Sequence, residues 1–351
     1  MLEGALGAVP VRIRLIVAML LGLVAGHAVL LQSPRFETPR DLVQFWYAAR
    51  IIMQGGDPYS LIGPGAAYTF SYPLVYPLPS AVAVIPLAWL TATWACAVFA
   101  GVGIACLAWA LMEQGYSSLL AFGSVCVWHA VFVVQWSPLL AASVVIAPLG
   151  FLLVVKPTVG LAYFAARPSW WAVAGAITLT ALAFALDPGW VGQWQAAVGR
   201  AVSNAKHGFP YRAPALMPGG ILVLLALSRW RRSEARLLVA LACVPHTTLP
   251  YELLPLFLIP RGWLQSVALV ALSHLMWWIV VHDFPHPDFY YTVIEYTKTS
   301  VGCLFLPCTL MVLRRPNVGP VPRWIETRIA TWPPWARGAS SDIRPQLSPP
   351  L

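Results

Sequence analysis

The apolar run from about residue 13 to residue 31, with Arg12 and Arg14 at its start, is long enough to cross a bilayer as one α-helix. In hydrocarbon every backbone N–H and C=O must find its partner inside the protein, and a helix supplies those partners within the segment itself. Further apolar segments lie near 77–91, 94–112, 118–135, 138–155, 157–166, 170–186, 215–228, 237–260, 263–281 and 298–313. Only 10% of residues are charged, where soluble domains carry about 25%. The fold class read from this pattern is all-α, a polytopic integral membrane protein of about ten transmembrane helices. Several segments are shorter than a full span and are expected to be tilted, broken or re-entrant, above all in 115–168. No cleavage site follows the first run, so it is expected to stay as transmembrane helix one. Residues 1–313 form the membrane domain, 33–76 its first outer loop, and 314–351 a Pro- and Ser-rich cytoplasmic tail with little order beyond Trp335.

The net charge of +9 is concentrated beside apolar segments. Arg229, Arg231, Arg232 and Arg236 form one cluster; Arg314, Arg315, Arg323, Arg328, Arg337 and Arg344 lie in the tail. The positive-inside rule puts both in the cytoplasm. No nucleic-acid-binding motif accompanies the charge, so membrane lipids and not nucleic acid are the expected partners. The 17 Trp and 12 Tyr suit interfacial belts. Cys96, Cys106, Cys126, Cys243, Cys303 and Cys308 all sit in apolar segments without a Cys-x-x-Cys pair, which points to neither a metal site nor a disulfide framework.

Residues 38–79 gather Arg40, Asp41, Arg50 and Asp57 directly after the first span. Thr38 is a good N-cap, Pro39 suits the first helical position, and Asp41 in the first turn meets the positive helix end. The helix is expected to stop at Gly55-Gly56, with Leu42, Phe45, Trp46, Ala49 and Ile52 on one side, lying along the membrane surface. Asp57 before Pro58 reads as a turn former, and Arg40 and Arg50 as side chains reaching lipid phosphates.

Two more polar patches collect on the same outer face. One is the loop 187–214, with Arg200, Lys206, His207 and Arg212. The other lies within 237–260, where Pro245, Pro250 and Pro255 forbid one continuous helix. Two short arms meeting near His246 would return Arg261 to the cytoplasm and hold His246 and Glu252 at depth or near the outer face. Lys156, between apolar segments, needs a partner or an interface. A carboxylate and several cations at headgroup level suit a lipid-linked phosphate substrate. Its leaving group is already a stable anion, so the site needs a base for the acceptor hydroxyl and cations for the phosphate.

The first outer loop resembles that of the polyprenol-phosphate-mannose-dependent glycosyltransferases of glycosyltransferase family 87, in the GT-C superfamily. The resemblance rests on Asp41, Phe45-Trp46-Tyr47-Ala48-Ala49, Gly55-Gly56-Asp57-Pro58-Tyr59, and Phe70-Ser71-Tyr72-Pro73 with Pro77 and Pro86 beyond. Gln135-Trp136-Ser137, Lys156-Pro157, Pro245-His246 and Tyr251-Glu252 extend it over residues 13–260. The family more often has Gly where this chain has Val134, Asp where it has Glu252, and Tyr-Pro-Pro where it has Tyr72-Pro73-Leu74. The resemblance implies a GT-C-like fold and transfer of a sugar, most often mannose, from a polyprenyl phosphate to a lipid or glycan acceptor. The site would face the periplasm or exterior of a bacterial cytoplasmic membrane. It implies inversion with Asp41 as base. Lys156, Arg200, Lys206, His207, Arg212 and His246 are the candidates for the donor phosphate; Tyr72, Gln135, Tyr251 and Glu252 are those for sugar or acceptor. Asp41 and Asp57 are too few acids to hold a divalent ion, so no metal and no cofactor is expected. A transporter or flippase of a lipid-linked substrate is the alternative from another class, although no internal repeat supports it. A noncatalytic assembly factor is a third, for which Asp41 would be freely replaceable.

Overall fold

The computed structural model describes residues 9–32, 40–70, 72–204, 211–286 and 288–319. The expected N-cap Thr38 with Pro39, the candidates Lys206 and His207, and the tail beyond residue 319 lie outside the described residues.

The described residues are mainly helical. α1 (Val11–Gln32) spans 22 residues, about 33 Å at 1.5 Å per residue. Its buried residues Ala18, Gly22, Ala25 and Val29 recur on one stripe, while Leu15, Met19, Leu23 and Val24 are exposed as a lipid-facing side would be. That stripe packs on α5 (Ala92–Leu111), and the two backbones come very close. A Cβ added at Gly22 would stand 2.6 Å from the carbonyl oxygen of Gly101. α2 (Asp41–Met53) follows the first span, with Leu42, Phe45, Trp46, Ala49 and Ile52 all buried. The chain leaves it at Gly55, whose φ of +75° is left-handed. α3 (Pro58–Leu61) is capped by Asp57, which accepts from the Tyr59 N–H at 2.8 Å. Two-residue strands β1 (Ile62–Gly63) and β2 (Tyr68–Thr69) pair in parallel, and α4 (Pro79–Val82) ends the loop.

Beyond α5 the elements are α6 (Val125–Val133), α7 (Ser137–Ala142), α8 (Pro157–Ala166), α9 (Trp170–Leu186) and α10 (Trp190–Asn204). Then come α11 (Ser233–Cys243), α12 (Trp263–Trp278), α13 (Phe289–Ser300) and α14 (Leu306–Leu313). Tight 3₁₀ stretches fill Tyr116–Gly123, Ala147–Val155, Gly220–Arg229 and Pro250–Leu258.

Ten spans is too many. Among the described residues four helices are long and apolar enough to cross a membrane: Val11–Gln32, Ala92–Gln114, Trp263–Asp283 and Phe289–Leu313. Two bent pairs, Tyr116–Gly123 with Val125–Val133 at 61° and Trp170–Leu186 with Trp190–Ser203 at 94°, raise the number to six at most. The other apolar segments are shortened by prolines at or near their starts, such as Pro148, Pro157 and Pro250, whose missing N–H interrupts the helical ladder. The loop expected over 187–214 also differs. It contains α10, an amphipathic helix that turns back after Asp187.

The hairpin expected in 237–260 is present. α11 leads in, residues 244–249 are non-helical, and Pro250–Leu258 leads out. Both arms end at one place, because Glu234 at the start of α11 meets Arg232 at 2.8 Å, Arg315 at 3.0 Å and Arg261 at 4.0 Å. Arg315 also donates to Ile259 O at 2.7 Å, Arg229 donates to Leu313 O at 3.1 Å, and Gln114 donates to Leu258 O at 2.9 Å. Arginines therefore collect at one end of the bundle. Asp41, Asp57, Arg200 and Asp288 belong to the other.

Candidate functional site

At the end away from the arginine cluster lies a cavity of about 1040 Å³. α2 supplies Asp41 and Gln44 to its wall, and α3 with β1 supplies Tyr59, Ser60 and Ile62. The proline-rich segment after β2 adds Tyr72, Pro73 and Tyr76; α6 adds His129; α10 adds Arg200; and the start of α13 adds Asp288, Phe289 and Tyr290 with Tyr296 further along. α10 closes one side through two polar contacts. Arg200 donates to Tyr59 O at 3.1 Å and Trp194 Nε1 donates to Val75 O at 2.8 Å.

Asp41 sits at the first position of α2, where its carboxylate meets the positive end of the helix. It is partly exposed, into the cavity. Burial by the surrounding wall pushes its carboxyl above the ordinary carboxylate range. The Gln135 hydrogen bond and the nearby Lys156 charge pull the other way without cancelling it. A raised pKa makes the carboxylate a stronger base once it is ionised.

Behind Asp41 runs a chain of buried polar groups drawn from distant parts of the sequence. Gln135 Nε2 donates to Asp41 Oδ2. Gln135 Oε1 accepts from Lys156 Nζ at 3.4 Å and from the Trp136 N–H at 3.3 Å. Lys156 pairs with Glu252 Oε1, and its ammonium stands 5.0 Å and 5.7 Å from the ring centres of Tyr251 and Tyr76. Gln135, Lys156 and Glu252 are 3%, 6% and 2% exposed, so none of them faces open solvent.

The local backbone makes this meeting possible. α6 ends at Val134 with φ +55°, and that left-handed turn swings Gln135 out of the helix toward α2. Thr248, with φ +46°, plays the same part before Glu252. Among the described residues these are the non-glycine positions in the left-handed region, and both flank the polar chain. For β-branched residues this conformation costs about 1–3 kcal/mol each, strain of the kind held where a site over-determines its backbone.

Of the candidates named from sequence, Asp41, Arg200, Tyr72 and Tyr251 line the cavity. Gln135, Lys156 and Glu252 stand behind Asp41, so the Lys156 charge goes to Glu252 and not to the cavity. Arg212 and His246 meet through a backbone bridge, and Arg212 donates to the Tyr290 hydroxyl at 3.1 Å beside the cavity. His246 Nδ1 contacts Val244 O at 2.8 Å, while its buried Nε2 has no partner among the described residues. Arg40 does not reach outward; it is 6% exposed and donates to Val29 O at 2.9 Å. Arg50 stacks over Trp46.

Sequence reasoning missed His129, Tyr76 and the Asp288–Tyr290 corner. His129 lies against Tyr251 with ring centres 5.2 Å apart, and its buried Nδ1 lacks a partner among the described residues. An ionisable residue inside the apolar run 118–135 was the available signal.

The fold and cavity thus define a mainly helical membrane protein with a tyrosine-rich, largely apolar chamber that holds Asp41 at the end opposite its arginine cluster. Comparison with protein-family models, with curated proteins and with solved structures finds no match.

Proposed function

We propose that this chain is a GT-C-type glycosyltransferase that moves a hexose, mannose by the resemblance, from a polyprenyl phosphate to a lipid or glycan hydroxyl. The observation that carries the reading is Asp41. It is a cavity-lining carboxylate made more basic by burial and held at one oxygen by Gln135, in a chamber otherwise lined mainly by tyrosine, small and apolar residues. In the proposed step the acceptor O–H loses its proton to Asp41 as its oxygen attacks the anomeric carbon. The bond from that carbon to the phosphate oxygen breaks on the opposite face, and the electron pair leaves on the phosphate, with inversion. Arg200 in the wall, with Arg212 held on the Tyr290 hydroxyl at the cavity's edge, is the group for the leaving phosphate. The arginine-rich end is the cytoplasmic one by the positive-inside rule, which turns the chamber outward, toward a lipid-linked donor at headgroup level.

The test is consumption of a panel of polyprenyl-phosphate sugars by the purified protein in lipid nanodiscs, read as released polyprenyl phosphate with a membrane glycolipid extract as acceptor. Acceptor-dependent release from the mannosyl donor supports the proposal. Release only from another sugar keeps the enzyme and discards mannose. Movement of intact donor across proteoliposomes without release would replace the enzyme with a flippase.

A further inference from the structure

Lys156 is one of the six residues that the sequence offers for the donor phosphate, yet its surroundings turn it inward. Its ammonium is committed to Glu252 and Gln135 and roofed by the rings of Tyr76 and Tyr251. Nothing of it reaches the cavity wall. Lysine has donors only, so the Gln135 atom facing it must be the oxygen. The Trp136 N–H, also a donor, enforces the same choice. The amide therefore presents its NH₂ to Asp41 and cannot turn over without facing two donors with two hydrogens. We propose that Lys156, Glu252 and Gln135 form a positioning relay that locks Asp41 with one oxygen as hydrogen-bond acceptor and leaves the other for the incoming hydroxyl. This rests on Asp41 being the base of the proposed transfer.

The lock sets which state Asp41 prefers. An NH₂ facing Oδ2 favours the ionised carboxylate; an amide oxygen there would favour the protonated one. The other titratable groups around Asp41 include Tyr76 and Tyr251 beside the relay, with His129, Arg200, Asp288 and further tyrosines on the cavity wall. Among the described residues the side chain that hydrogen-bonds Asp41 is that of Gln135. The two strained turns at Val134 and Thr248 fit the same account, since each delivers one member of the relay.

The experiment compares wild type with Lys156→Met/Glu252→Leu, a double replacement that leaves no buried charge alone. Donor affinity is measured by binding of radiolabelled polyprenyl-phosphate mannose, and turnover is measured across pH. The relay predicts donor affinity within about twofold of wild type, kcat down about 10- to 100-fold as the base loses its fixed geometry, and the acidic limb of kcat moved to higher pH. Donor affinity lost with kcat retained would overturn it and make Lys156 a phosphate ligand. If wild type turns over no donor, the transfer reading fails by itself, and the relay is still read by infrared spectroscopy. The protonated-carboxyl band that disappears in Asp41→Asn should persist to higher pH in the double variant. The same pH in both proteins would overturn the relay.

Discussion

Removing the Lys156 ammonium while leaving Glu252 in place tests the buried pair by itself. The two side chains are 7% and 3% exposed, and Glu252 Oε2 has no other partner among the described residues. Lys156→Met alone leaves a carboxylate in low dielectric with nothing to balance it, at a cost of about 3–5 kcal/mol. Glu252→Leu alone strands the ammonium and should cost about as much. Together the two changes replace an ion pair by apolar side chains of similar volume, which is often neutral or even stabilising. With each single costing about 3–5 kcal/mol and the double near zero, the coupling energy of the cycle is about 6–10 kcal/mol, comparable to the roughly 5–15 kcal/mol that holds a domain folded. The assay is unfolding of the detergent-solubilised protein in increasing sodium dodecyl sulfate, followed by tryptophan fluorescence, for wild type, both single variants and the double. Single variants each costing under about 1 kcal/mol and simply adding would refute the reasoning, since that is the behaviour of an exposed pair.

Other outcomes follow from single positions. Gly22→Ala places a methyl 2.6 Å from a backbone carbonyl on α5. It should cost about 1–3 kcal/mol in the same unfolding assay, while Gly192→Ala, which meets open space on α10, should be neutral or slightly stabilising. Val134→Gly relieves the left-handed strain at φ +55° but gives up a buried side chain. The two effects nearly offset, so stability should stay within about 1 kcal/mol of wild type. Val127→Gly, buried inside α6 with nothing to relieve, should be clearly worse, and equal losses would refute the strain argument. At the arginine end, burial would raise the Glu234 carboxyl. The backbone and Arg232 hydrogen bonds, with the Arg232 and Arg315 charges, outweigh it and hold the group below its ordinary value. Its contribution is therefore complete above the ordinary Glu range and lost as pH falls through the lowered folded value. The stability difference between wild type and Glu234→Gln, measured by thermal unfolding across that window, should shrink toward acid.

Much of the segment 40–79 was legible in the sequence. The apolar positions of α2 and its stop at Gly55 follow from helical period and glycine freedom, and Asp57 caps as its Asp-Pro pair reads. The Pro245–Pro255 spacing foretold the hairpin and the return of Arg261 to the arginine end. The number of spans was not legible. A run of apolar residues has the same composition whether it is one helix or two short pieces, and the backbone partners that decide between them are tertiary. α10 escapes a reading by apolar runs because its polar and apolar residues alternate at helical period as an amphipathic helix. The relay was half legible: Asp41, Gln135, Lys156 and Glu252 were all singled out, but which faced the substrate and which faced each other depends on Val134 and Thr248.

The central claim is that Asp41 is the base of a sugar transfer, and single-turnover transfer from radiolabelled polyprenyl-phosphate mannose by wild type and Asp41→Asn tests it most directly. The asparagine keeps an oxygen for Gln135 to donate to but cannot take a proton. The account predicts donor binding retained, transfer reduced by about 100-fold or more, and a wild-type rate that rises with pH through a value above the ordinary carboxylate range. Equal transfer by both proteins would contradict it.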